Sequence, residues 1–147
     1  MTTPDTLDIT ELADALRPAV LRLSRRLRQE AQKVGLSAQD ALLLGYISKH
    51  RGVGVSELAD TDQTSRPTMS GHVKRLEAAG WIVRKDDAAD GRRSGLAITP
   101  AGLRKLEAIR RHRNDWLAAR LARLNPADRD RLAAAAEPLL KLVGMDP

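Results

Sequence analysis

The stretch V55-SELADTDQTSRPTMSGHVKRLEAAGWIVRKDDAADGRRSGLAITPA-G102 decides the fold. It offers in order a short helix, a turn, a second helix and two strands joined by a basic loop. A Thr-Pro pair then opens the next helix. The second helix is central. At about 100° per residue, Met69, Val73 and Leu76 fall on one side, while Ser65, Thr68, His72 and Arg75 fall together on a neighbouring one. One set can pack inward while the other points out, the layout of a helix seated on a small core with polar side chains offered to a groove.

Punctuation supports these boundaries. Ser56 can cap the third helix of the chain, expected over Glu57–Asp60, and Thr61 to Thr64 form the turn. Ser65 or Thr64 caps the fourth, where Pro67 needs no amide donor in the first turn. Gly80 stops it in the left-handed conformation. Residues 81–85 and 94–98 read as strands around the polar loop from Asp86 to Arg93, and Thr99-Pro100 starts the fifth helix.

Outward from this unit the chain is helical. Before it, Leu12, Leu16, Leu23, Leu27, Ala31 and Val34 recur at spacings of three and four, which predicts an amphipathic helix from Asp8 to Val34 ended by Gly35. Pro18 inside it predicts a kink or break near Arg17. Ser37 caps a second helix carrying Leu42, Leu43, Leu44, Tyr46 and Ile47, whose wide apolar face should make it the most buried. After the unit, Leu103, Leu106, Ile109, Trp116, Leu117, Leu121 and Leu124 mark a long helix, and Leu132, Ala136, Leu139, Leu140 and Val143 mark the last, with Pro138 bending it. The apolar stripes of the outer helices lie too far along the chain for a 50-residue core to cover. Burial is worth about 25 cal/mol per Å², so pairing with a second copy over roughly 2,000 Å² is expected, against a monomeric bundle as the alternative.

Composition narrows the classes. The 147 residues hold no cysteine, which removes disulfides and thiolate chemistry. No Phe is present, and the aromatics are Tyr46, Trp81 and Trp116, so the core must be aliphatic. No run approaches the roughly 18 apolar residues of a membrane span, and the N-terminus does not read as a signal peptide. A cytoplasmic protein without a membrane partner is the simplest expectation. The net charge of +6 is concentrated: residues 62–113 carry 12 Lys/Arg against 6 Asp/Glu, while the segments on either side each sum to zero. Such a focus suits a polyanion, though a solvated basic face that aids solubility explains it equally well. His50, His72 and His112 are scattered, so no metal site is expected, and nothing implies a cofactor. Ser70 and His72 lie two apart on a helix and do not face each other, and no other nucleophile–base pair stands out, so no enzyme is expected.

The same residues carry a resemblance. Val55-Ser56-Glu57-Leu58-Ala59, Arg66-Pro67-Thr68-Met69-Ser70, Arg75-Leu76-Glu77-Ala78-Ala79-Gly80-Trp81-Ile82 and Asp90-Gly91-Arg92-Arg93, followed by Leu96, Thr99, Pro100 and Gly102, closely resemble the MarR family of bacterial transcription regulators. One departure is Gly71, where many relatives carry a larger, often basic side chain. The resemblance implies a mainly α fold with a small antiparallel β wing: a single domain over 1–147 in which 37–99 form the winged helix-turn-helix and 8–34 and 100–145 the dimerisation helices. It implies a homodimeric, sequence-specific transcriptional regulator, with a repressor expected, on near-palindromic double-stranded DNA. A winged-helix module for nonspecific chromosome binding or protein contacts is the alternative.

On that footing the fourth helix enters the major groove. Arg66, Thr68 and Ser70 stand early enough to reach base edges, and Ser65 with the helix-start amides meets phosphate. Lys74 and Arg75 suit phosphate contacts, and His72 is a DNA-contact candidate on the same helix whose alternative reading is a half-buried residue beside Val73. In the wing, Arg92 suits a narrow minor groove, Asp90 orients an arginine by family resemblance, and Arg84, Lys85 and Arg93 add backbone attraction. The family also implies release by a small aromatic or phenolic effector, for which Tyr46, His112 and Trp116 are the candidates.

Overall fold

The structure, a computed structural model, describes residues 8–86 and 94–144. The elements are α1 (Ile9–Gln32), α2 (Ala38–Lys49), α3 (Val55–Asp62), α4 (Arg66–Ala78), β1 (Ile82–Asp86), β2 (Ser94–Ile98), α5 (Pro100–Leu121) and α6 (Pro126–Gly144). This is a mainly α fold with a small antiparallel sheet, and the chain divides into two compact units, up to His112 and from Arg113 onward.

The core of the first unit is aliphatic. Leu44, Ile47, Leu58, Met69, Val73, Leu76, Leu96 and Ile109 are its largest inaccessible side chains. They come from α2, α3, α4, β2 and α5, and Ile82 of β1 joins the same cluster, so every element of the central stretch is pinned to it. As expected, α2 carries the most buried residues, Asp40, Ala41, Leu43, Leu44 and Ile47, although Leu42 points out. Ser37 caps it by accepting from the Asp40 amide at 3.1 Å.

Of the kink or break expected near Arg17, no break forms: α1 is continuous through Pro18. Two local expectations are corrected. Helix α3 starts at Val55, with Gly54 rather than Ser56 at its cap. The reason lies upstream, where Val53 bridges to Leu96. The Gly52 amide donates to the Leu96 carbonyl, and the Leu96 amide to that of Val53, both at 2.9 Å. Held by this single bridge, the chain turns into α3 at once. The helix then continues to Asp62, and Gln63 takes the left-handed conformation (φ 53°) that ends it, so the turn before α4 is shorter than Thr61–Thr64.

The bridge also explains Gly95. A Cβ there would come within 2.5 Å of the Gly52 backbone. Strands β1 and β2 pair antiparallel with Ile82 opposite Ile98 and Arg84 opposite Leu96. Thr99 then does two jobs: its hydroxyl donates to the Gly80 carbonyl at 2.6 Å and accepts from the Gly102 amide at 3.0 Å. One side chain thus caps α5 and ties it to the turn that ends α4.

In the second unit Asn125 starts α6 by accepting from the Asp128 amide at 2.8 Å, and α6 runs through Pro138 unbroken with no buried residue. Leu132, Leu139, Leu140, Leu142 and Val143 on α6 are exposed, as are Ile9, Leu12, Leu16, Val20 and Leu23 on α1 in the first unit.

Candidate nucleic-acid interface

Helix α4 has the two-sided character that its sequence implies. Met69, Val73 and Leu76 are fully buried. Ser65, Arg66, Thr68, Lys74 and Arg75 are exposed, and Ser70 and His72 are half-buried. Ser65 is the cap: its hydroxyl accepts from the Thr68 amide at 3.3 Å and donates to the Thr68 hydroxyl at 2.8 Å. Pro67 has no amide hydrogen and that of Thr68 is taken, so the helix start offers fewer donors to a phosphate than a helix start without proline would.

Two of the predicted phosphate contacts are engaged within the protein. An Arg75 Nη donates to Asp40 Oδ1 on α2 at 2.6 Å, and the same nitrogen lies 2.9 Å from His72 Nδ1. Arg84 Nε on β1 donates to Glu77 Oε1 on α4 at 3.0 Å. These pairs join α4 to α2 and to the strand that leads into the loop. Arg66, Lys74 and Lys85 have no ion-pair partner among the described residues and stand as the free cations of this face. Asp90, Arg92 and Arg93 lie outside the described residues.

Sequence reasoning missed Asp40 and Glu77. Asp40 reads as an ordinary helix-start acid, and its partner stands 35 residues away. Glu77 had a weak signal, since it ends α4 just before a strand with a basic residue. Gln39, beside Asp40, donates to Asp62 at the end of α3 at 2.7 Å. Consecutive residues at the start of α2 therefore hold the end of one helix of the pair and the outer face of the other.

The three effector candidates are placed apart from one another in role. Tyr46 stacks on His50, with ring centres 4.0 Å apart, and its hydroxyl lies 3.5 Å from Glu57. His112 Nε2 lies 2.8 Å from Glu30 Oε2. Trp116 belongs to the second unit, where the Arg120 guanidinium sits 3.9 Å from its ring centre. An open cleft of about 490 Å³ on the first unit is lined instead by Leu21, Arg25, Arg28, Gln29, Gln32 and Ala38. Among the described residues no group of three His, Asp or Glu is placed to hold a metal ion, and no helix is long and apolar enough to cross a membrane.

A helix pair presenting one polar, basic helix, with a two-stranded wing behind it, defines a winged helix-turn-helix protein. The MarR family profile matches residues 34–93. An uncharacterized HTH-type transcriptional regulator of Mycobacterium bovis is 33% identical over 136 residues, 92% of this chain and 95% of that one, and one of Mycobacterium leprae is 30% identical over the same length. The chain belongs to the MarR family of transcriptional regulators. A crystal structure from Pseudomonas aeruginosa, described as that of a transcriptional regulator, superposes with a TM-score of 0.81 at 32% identity, covering 96% of this chain and 99% of that one. At 21% identity and a TM-score of 0.68, the F27L mutant of Staphylococcus aureus MepR, bound to an oligodeoxyribonucleotide, shares the fold over 90% of this chain and 97% of its own.

Proposed function

We propose that two copies of this chain pair through the exposed apolar faces of α1 and α6 and repress transcription by occupying near-palindromic duplex DNA. One α4 enters the major groove of each half-site and the loop between β1 and β2 lies against the adjacent minor groove. The observation that carries this is the division of α4: Met69, Val73 and Leu76 are locked into the core while Arg66, Thr68 and Lys74 stand in solvent. A helix with that division is rigid, cationic and able to reach base edges. The exposed leucines of α1 and, separately, of α6 support pairing, because exposed apolar helix faces mark interaction surfaces. The MepR variant that shares this fold is bound to an oligodeoxyribonucleotide, which supports DNA as the partner.

Tyr46, His112 and Trp116 each hold a contact within the protein; release by a small aromatic or phenolic effector is a separate part of the reading, tested by thermal shift with a panel of phenols and acids. Selection of bound fragments from random duplex DNA, followed by footprinting, tests the proposal. It requires two symmetric half-sites about one helical turn apart and a preference over random DNA of about 10³ or more. Equal affinity for all duplexes would favour nonspecific chromosome binding, and a single asymmetric half-site would contradict pairing.

A further inference from the structure

We propose that Asp40, buried on α2, is a positioning residue for DNA recognition, and that it works through Arg75 to fix His72 as a hydrogen-bond donor toward DNA. This rests on the DNA-binding reading above. The geometry is a chain of three side chains from two helices: Asp40 Oδ1, then an Arg75 Nη at 2.6 Å, then His72 Nδ1 at 2.9 Å. The chemistry of each member leaves one solution. A guanidinium carries only donors and stays charged. It donates one hydrogen of that nitrogen to the carboxylate and the other to the imidazole, so Nδ1 must accept. The proton of the neutral ring is then on Nε2, at the opposite edge. His72 is half-buried on the polar side of α4, so this N–H is the group that it offers to an acceptor in the groove, a phosphate oxygen or a base-edge N7 or O6.

The Asp40 side chain is 11% exposed whereas that of Arg75 is 55% exposed. The buried acid therefore sets where the arginine sits. An arginine released from Asp40 has no fixed position and leaves Nδ1 without its donor. The Gln39 contact with Asp62 holds the same end of α2 against α3, so the acid has a fixed base from which to act.

The test uses the full-length, 15N-labelled chain. Without DNA, at about pH 8 where neutral imidazole prevails, long-range 1H–15N spectra report the tautomer of each ring, with His72 assigned by its loss in His72→Gln. The wild type should show a single Nε2–H form for His72, becoming a mixture in Arg75→Met and Asp40→Ala. On the selected duplex, both variants should bind about tenfold more weakly, with the slope of log affinity against log salt unchanged. An Arg75 that simply contacts phosphate predicts the reverse: Asp40→Ala binds more tightly, and Arg75→Met lowers the slope by about one. That pattern, or a mixed or Nδ1–H ring in the wild type, overturns the proposal. If Asp40→Ala does not fold, Arg75→Met at the exposed position decides by tautomer and slope. If the wild type selects no duplex, the DNA reading fails, and the tautomer measured without DNA still decides the relay.

Discussion

His112 on α5 donates from Nε2 to Glu30 on α1 at 2.8 Å, and Glu30 is almost completely buried. Lys33 reaches the other carboxylate oxygen at 2.9 Å and Arg26 approaches it at 3.8 Å. The hydrogen bond from Lys33 lowers the Glu30 pKa below its ordinary 4.5; burial opposes this, and His112 adds to it. A carboxyl depressed on folding contributes stability above its unfolded value and loses it as the pH falls through the folded one. Urea unfolding of the wild type and Glu30→Gln should therefore differ at neutral pH, with the variant less stable. That gap should close as the pH drops below about 4.5. A gap independent of pH would mean that Glu30 acts by packing alone.

Gly95→Ala should destabilise the chain by about 1–3 kcal/mol or more, because its methyl group meets Gly52 backbone at 2.5 Å and backbone cannot rotate away. The same substitution at Gly71, which has open space around it, should be neutral or slightly stabilising. Thermal melts of the two variants side by side make the comparison.

Leu76 is fully inaccessible. Leu76→Ala should cost about 2–5 kcal/mol, read by chemical denaturation. DNA affinity per folded molecule should fall far less, since the polar side of α4 is untouched. A selective loss of affinity at unchanged stability would contradict the division of the helix into core and groove sides.

The free cations on the interface should separate into two behaviours. Lys74→Ala should weaken binding to all duplexes alike and lower the salt slope by about one. Arg66→Ala should cost about 1–3 kcal/mol on the selected duplex and relax preference at one base pair. Fluorescence anisotropy across a salt series, with matched and mutated duplexes, distinguishes them.

Leu140 is 73% exposed. Leu140→Asp should leave the fold of the single chain within about 0.5 kcal/mol, yet convert a dimer into monomer by sedimentation. A variant that remains dimeric would remove α6 from the interface.

What local chemistry governs was legible in advance. Ser37, Ser65 and Thr99 cap the helices they were expected to cap, because a cap is settled within three residues. The inward side of α4 followed from helical spacing alone, and the wing strands from their flanking turns. The start of α3 did not, since it depends on Val53 finding Leu96 across 43 positions.

By itself, then, the sequence determined which elements form, which face of each is apolar, and where positive charge gathers, since these depend on residues within a turn or two of each other. Only the tertiary structure decided which charges remain available. Arg75 and Lys74 are neighbours of like charge, yet one is held by Asp40 from another helix and the other has no ion-pair partner among the described residues. Ion pairs between residues far apart in the chain depend on how helices pack, and no local pattern encodes that.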